Sequence, residues 1–385
     1  MKVFVVDPSL FTGPYDHAFC AALAAAGAEV ELIARPPRPH EPPAPPGFAC
    51  RALFYRRAEQ ARGGALGQVL KGLEHGRGLM AVEALVRRER PDVVHVQWLV
   101  LPLLDDLAYA RLARRVPLVL TLHDSVAFHG RPSSALQLLG HERALRRFDH
   151  HVAHTRQTMA YLQGLGVPAD RISLLPHPPL ELPPTDAVPS QDGIVRILLF
   201  GALKPYKGIE VLARAGIALA GRRRDFHITI AGRPFYDLAP LQAEIAAAGA
   251  EALFSFDTRF VPDEELAAYL ARADIVAFPY REIDASGALT LAVRAGRPIV
   301  ASTVGVFAEP PAAEHLRLVP PGDVPALATA LEQLIADPAS RRRQAAASRA
   351  LEAAIPGWPA FARACLGIYR RLAAGRTVPA QPARP

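Results

Sequence analysis

The sequence predicts an α/β protein of two doubly wound, Rossmann-like domains facing a cleft, and three observations lead there. Short apolar runs alternate with helical patterns along the whole chain, as parallel strands and their crossover helices require. Near the middle, the Pro-, Asp- and Ser-rich stretch "ELPPTDAVPSQDG" (Glu181 to Gly193) interrupts that alternation and reads as a linker. The length, 385 residues, suits two domains better than one. With 50% of residues apolar, each half can bury a core, and 21% charged residues argue against wholesale disorder.

In chain order, "KVFVVD" (Lys2 to Asp7) reads as a central parallel strand. A helix follows a loop, with Ala18, Phe19, Ala22 and Leu23 on one face. Gly27 ends it, and Val30, Leu32 and Ile33 open the next strand. Residues 36–47 form a Pro-rich loop, and residues 51–90 carry helical patterns studded with arginine. "PDVVHVQW", "PLVLTLHD", "HHVAHT" and "RISLLPHP" read as four further strands, closing a domain at 1–180. After the linker, 181–193, a second series begins with "IVRILLFG". It continues through "FHITIAG", "ALFSFDTRF", "ADIVAFPY", "PIVASTVG" and "LRLVP", giving a domain at 194–355. A closing helix at 356–373 is expected to return to the first domain, and 374–385 reads as a disordered tail.

The formal charge is +7 and the pI about 9.6, which fits nucleic acid, anionic lipid or phosphorylated ligands without choosing among them. Three widely spaced cysteines, Cys20, Cys50 and Cys365, imply neither a disulfide framework nor a zinc site and suit a reducing, cytoplasmic compartment. The N-terminal "MKVFVVDPSLF" reads as a strand, not a signal peptide. No apolar run is long enough to span a membrane, so membrane contact is expected to be peripheral, at the inner face. Arg56, Arg57, Arg87, Arg88, Arg111, Arg114, Arg115, Arg143, Arg146 and Arg147 either face an anionic membrane or lie on solvated helix faces. No basic stripe interleaved with aromatics is present, so no nucleic-acid partner is expected.

Ligands bind doubly wound sheets outside the carboxyl ends of their strands. After the first strand, Gly13 stands before a helix, where glycine permits positive φ and the helix N-terminus could hold a phosphate. "HDSVAFHG" gathers His123, Asp124 and His129 at another strand end, suited to proton relay or hydrogen bonding, or to capping alone. His177, at the domain junction, is read equally as an interdomain or a catalytic residue. In the second domain, "GALKPYKG" places Lys204 and Lys207 between Gly201 and Gly208, where a helix begins. Ammonium groups there oppose the macrodipole, which gives the free protein nothing but would suit a bound diphosphate. Gly232 and Arg233 end the next strand. Glu282, Asp284, Ser286 and Gly287 follow "ADIVAFPY", with Ser286 a candidate N-cap and the carboxylates suited to sugar or ribose hydroxyls.

Taken in order and spacing, "PDVVHVQW", "HDSVAFHG", "FGALKPYKGIEVL", "ADIVAFPY", "SGALTLAVRAGRPIVASTVG" and the closing W…F…Y helix resemble the GT-B glycosyltransferases of family 4, over about residues 1–372. Neither G-x-G-x-x-G after the first strand nor G-x-x-x-x-G-K-[ST] occurs, so dehydrogenases and P-loop enzymes fit less well. The resemblance implies a retaining transferase that takes its sugar from a nucleotide-diphosphate sugar and needs no metal or other cofactor. The acceptor it implies is a glycan or lipid-linked glycan in polysaccharide assembly. It implies catalytic roles for His123 and Lys207. Donor contacts are implied for Gly13, Gly201, Lys204, Lys207, Gly232, Arg233, Tyr280, Glu282, Asp284, Ser286 and Gly287, and acceptor or sugar contacts for His123, Asp124, His129 and His177. Ala202 stands where the family has an arginine, with Lys204 a candidate substitute. Ile283 and Leu291 stand where paired glutamates are usual, and the segment is similar to a subgroup with a Ser-Gly pair, here Ser286-Gly287. A nucleotide-sugar epimerase and a non-catalytic sugar-nucleotide-binding module share the architecture and remain as alternatives.

Overall fold

The computed structural model describes residues 1–38, 41, 43–57, 65–124, 140–189 and 192–375. His129 and residues 376–385 of the tail lie outside the described residues. The chain divides into two compact units: one runs from Met1 to Leu175 and takes in the chain from Gly357 onward, the other from Pro176 to Pro356. Each is built on one all-parallel sheet with helical crossovers, so the predicted pair of Rossmann-like domains is what the chain forms.

The first unit carries seven strands in the order β3-β2-β1-β4-β5-β6-β7. They are β1 Lys2–Asp7, β2 Glu29–Ala34, β3 Ala49–Ala52, β4 Val93–Val96, β5 Leu118–Leu122, β6 His150–Ala153 and β7 Ile172–Leu174. Val3 pairs with Val30 on one side and Val93 on the other, so the strand order reverses at β1 and opens a switch point between β1 and β4. The helices are α1 Gly13–Ala25, α2 Ala65–Glu89, α3 Pro102–Leu112, α4 His141–Leu145 and α5 Arg156–Gly164. The edge strand β3, "ACRA", is absent from the sequence reading because it is four residues long and half-exposed, with no alternation to betray it.

A buried polar chain ties α2 to α3. The Tyr55 hydroxyl donates to His75 Nδ1 (2.7 Å), His75 Nε2–H to Asp105 Oδ1 (2.8 Å), and the Leu101 N–H to Asp105 Oδ2 (2.8 Å). The last described helix, Trp358–Gly375, also belongs to this unit. It packs on α1 through Phe361 against Phe19 (5.5 Å) and Trp358 against Tyr15 (5.0 Å), and the Tyr369 hydroxyl bonds buried His95 of β4.

The second unit has six strands in the order β10-β9-β8-β11-β12-β13. They are β8 Val195–Phe200, β9 Phe226–Ala231, β10 Phe254–Asp257, β11 Ile275–Phe278, β12 Ile299–Ser302 and β13 Arg317–Val319. Strand β8 is apolar from Ile197 to Phe200 because both its faces are covered there: Ile197 and Leu199 enter one core, Leu198 and Phe200 the other. Its helices are α6 Ile209–Ala220, α7 Ala239–Ala247, α8 Asp263–Arg272, α9 Gly287–Arg294, α10 Ala312–His315, α11 Val324–Ala336 and α12 Pro338–Ala354. The helix Trp358–Gly375 is therefore α13. No helix among the described residues is long and apolar enough to cross a membrane.

Candidate functional site

In the second unit, two loops close on one another at the ends of β8 and β9. Leu203 N–H donates to the Arg233 carbonyl (2.9 Å) and Phe235 N–H to the Leu203 carbonyl (3.0 Å). Gly201 has φ +95° and Gly232 φ +146°, and a β-carbon on Gly232 would lie 2.0 Å from the Gly201 carbonyl oxygen. Both partners in that clash are backbone, so neither can step aside. Gly232→Ala is expected to cost roughly 3 kcal/mol or more of stability. Urea unfolding of the variant checks this, and a loss under about 1 kcal/mol would show that the loops open freely.

Lys207 occupies the space beneath these loops. Residues Pro205–Lys207 form a single 3-10 turn, and Gly208, at φ +64°, separates it from α6. The expected ammonium on the helix entrance is corrected here. Lys207 folds back under the strand end, where it is buried and its Nζ donates to the Phe200 carbonyl (2.9 Å). The free protein does gain a hydrogen bond from it. Burial, with Lys204 as a like charge nearby, pulls its pKa down to about 7. Its Nζ also lies 5.2 Å from the ring of Tyr280, whose buried hydroxyl has no hydrogen-bond partner among the described residues. Lys204 is half-buried, with its Nζ 5.9 Å from the rings of Tyr206 and Phe235. Exposed Arg233 lies 5.8 Å from Phe235, and exposed Ala202 leaves open the place an arginine would fill.

Residues 282–287 split by environment. Asp284 is fully buried, and its carbonyl accepts from Val306 N–H (2.9 Å). Ser286 caps α9 by accepting from Leu289 N–H (3.1 Å), as its position predicts, so Gly287 opens the helix. Exposed Glu282 lines an open groove of about 560 Å³ with Tyr206, Glu210, Tyr236 and Arg281, where Arg281 pairs with Glu210 (2.9 Å). Ile283 is buried and Leu291 packs on the same core, so the two places of the usual glutamates are apolar packing positions here.

In the first unit, the ends of β1, β4 and β5 grip His123. Its ring stacks on Trp98 (5.1 Å, 10°), meets the edge of Tyr15 (4.8 Å, 86°), and donates from Nε2 to Gln97 Oε1 (2.9 Å). The Trp98 indole N–H donates to Thr12 Oγ1 (3.0 Å), and Thr12 Oγ1 donates to Asp16 Oδ2 (3.3 Å). Asp16 and Asp7 form a buried carboxyl pair. Burial and the Asp7 charge raise the pKa of Asp16 well above the usual range, and burial also raises that of Asp7. Asp7 holds the loop before α1 by accepting from Ser9 N–H (3.1 Å).

Gly13 lies inside α1, and a β-carbon there would make only ordinary contact with Leu10 (3.4 Å), so the expected positive φ is corrected. Leu10, at φ +48°, takes that role. Asp124 is half-buried beside His123. His177 donates from Nδ1 to the Pro178 carbonyl (2.7 Å), and burial lowers its pKa to about 4. Thr12, Asp16, Gln97 and Trp98 were missed in the sequence; the Gln-Trp pair closing "PDVVHVQW" was the signal available. If the grip on His123 matters for turnover, Thr12→Val lowers kcat about tenfold and Thr12→Ser restores it, the change expected for one lost orienting hydrogen bond. Unchanged kcat in Thr12→Val would show that the Trp98 stack holds the ring unaided.

Two all-parallel, doubly wound sheets, with glycine-tight loops over a buried lysine and a capped helix at the strand ends of the second, define the GT-B class. The model of the glycosyl transferase 4-like domain matches residues 12–178, and that of glycosyl transferases group 1 matches residues 195–337. The chain belongs to the group 1 glycosyltransferases of family 4. The MMP α-(1→4)-mannosyltransferase of Mycolicibacterium hassiacum is 30% identical over 47% of this chain and 44% of its own length. The D-inositol 3-phosphate glycosyltransferase of Pseudarthrobacter chlorophenolicus is 27% identical over 96% and 92%. The match thus spans less than half the length of the first of these relatives. Among solved structures, sucrose-phosphate synthase from Thermosynechococcus elongatus superposes with a TM-score of 0.76 at 20% identity, covering 97% of this chain and 100% of that one. That likeness is one of fold.

Proposed function

We propose that the chain is a retaining glycosyltransferase that moves a sugar from a nucleotide-diphosphate sugar to an acceptor, a glycan or lipid-linked glycan. The observation that carries this reading is Lys207, a buried ammonium poised near neutrality beneath the Gly201 and Gly232 loops. Cleavage of the sugar–phosphate bond builds negative charge on the departing diphosphate and oxocarbenium character on the sugar. A preorganised cation where that charge develops is a large source of rate. Lys207 supplies it, Lys204 adds to it, and the N–H groups opening α9 behind Ser286 offer further donors. The reading needs no metal, because lysines and a helix N-terminus provide the countercharge. His123 would contact the transferred sugar. The acceptor would attack from the face the diphosphate leaves, with a diphosphate oxygen taking the proton.

A thermal-shift screen across nucleotide sugars tests this. A true donor at about 100 times its Kd stabilises the fold by about 2.7 kcal/mol. The absence of any shift with every nucleotide sugar and nucleoside diphosphate would overturn the reading. Conversion of the stabilising donor into an isomer without acceptor would make the protein an epimerase instead.

A further inference from the structure

Helices α2 and α3 carry an exposed surface made of none of the strand-end residues described above. An amphipathic surface helix turns polar residues outward. Here the reverse holds over residues 69–80 of α2, where Val69, Leu73 and Met80 are 61%, 58% and 57% exposed. Helical spacing places all three opposite the face that buries His75, Leu79, Val82 and Val86. The stripe runs about 16 Å along the helix axis. On α3, Leu103, Leu104 and Leu107 also face outward, opposite buried Asp105, Tyr109 and Leu112. The stripes adjoin, since a methyl on Gly76 would touch Leu104 at 4.0 Å. Beneath them the Tyr55–His75–Asp105 chain ties the two helices together.

The charges on this face select its partner. Arg77 lies on the same outward stripe and makes no ion pair among the described residues. Arg87 and Arg111 flank it and share one acid, Glu83 (3.9 and 3.0 Å). By contrast, Arg143 and Arg147 are both engaged by Asp106, so much of the basic character in this region is already spent internally. An apolar stripe that carries Arg77 and is edged by two arginines sharing a single acid keeps a net positive charge. It matches the boundary of an anionic bilayer, where leucines reach the acyl chains and guanidinium groups rise to the phosphates. A second copy docked face to face would set arginine against arginine on a chain of net charge +7.

We infer that the outward face of α2 and α3 docks on an anionic lipid bilayer. This deepens the proposed function by placing the acceptor at a membrane, and it rests on that reading only for the acceptor, since docking is measured without turnover. The test is flotation of the full chain with vesicles of phosphatidylcholine and phosphatidylglycerol in equal parts, against phosphatidylcholine alone. Binding is expected to the mixed vesicles and to be at least about tenfold weaker to the neutral ones. Leu73→Glu with Met80→Glu abolishes it, and Arg77→Glu weakens it about tenfold, while both variants keep the parent melting temperature and nucleotide-sugar thermal shift. No binding to the mixed vesicles, or equal binding by the double variant, overturns the inference. A dimer in sedimentation that the same double substitution dissolves also overturns it, assigning the face to a second copy. Retained docking with no nucleotide-sugar shift would leave this surface standing and remove the transferase reading alone.

Discussion

Lys207→Met lowers turnover by about 10²–10³, the loss typical of removing one charge-stabilising donor, and raises stability at pH 7. The two effects share a cause. The ammonium is buried, and its pKa falls from 10.5 to about 7 on folding. Between those values the unfolded chain binds a proton that the folded chain does not, so stability rises with pH from 7 to about 10.5. At pH 7 the cost of holding the lysine is at most of the order of 5 kcal/mol by this linkage, at ~1.4 kcal/mol per unit. The hydrogen bond to the Phe200 carbonyl belongs to the native state and is lost in the variant. A methionine keeps the stem's packing and removes the charge, for a net gain of roughly 1–3 kcal/mol. Turnover and melting temperature measured on one preparation check both halves. Near-normal turnover would remove Lys207 from the chemistry, and a lowered melting temperature would show that the hydrogen bond outweighs the burial.

Acid is the second large effect, and it falls on the first unit. His95, His150 and His151 are buried there, and burial lowers their pKa values to about 3, 4 and 4. From pH 6.5 down to about 4 the unfolded chain takes up three protons that the folded chain refuses, so their contribution is complete above pH 6.5 and fades below it. Asp16 works against them. Its raised pKa means that the folded state holds a proton the unfolded state has lost in that window. Asp7, also raised by burial, opposes them in the same direction, so the stability lost per pH unit near pH 5 falls below the ~4 kcal/mol that three histidines alone would give. Urea midpoints between pH 7 and 4.5 measure the slope; a flat profile down to pH 5 would mean that these histidines become charged without unfolding.

The strands were legible in the sequence because buried parallel strands leave continuous apolar runs, as in "ILLF" within β8 and "VFVV" within β1, and the glycines at 201 and 232 marked their ends. The chain's own hydrogen bonds were not legible. Nothing in "GALKPYKG" says that Lys207 turns inward while Lys204 does not; that follows from the 3-10 turn and the left-handed Gly208. Nor could spacing show that Glu282 and Asp284, two residues apart, would lie in solvent and in a core. The grip on His123 was hidden for a different reason. Thr12 follows β1, Gln97 and Trp98 follow β4, and His123 follows β5, and only the register of those strands brings them together.

Helix α13 has a consequence for how the protein is made. It supplies Phe361 and Tyr369 to the unit whose other residues end at Leu175. Roughly 180 residues of the second unit are translated between the two. At bacterial or eukaryotic elongation rates, of about 5–20 residues per second, Phe19 and His95 wait roughly 10–40 seconds for their partners. During that interval on the ribosome the nascent first unit displays an apolar groove along α1, which makes it a client for chaperones that hold exposed hydrophobic surface until the final helix emerges.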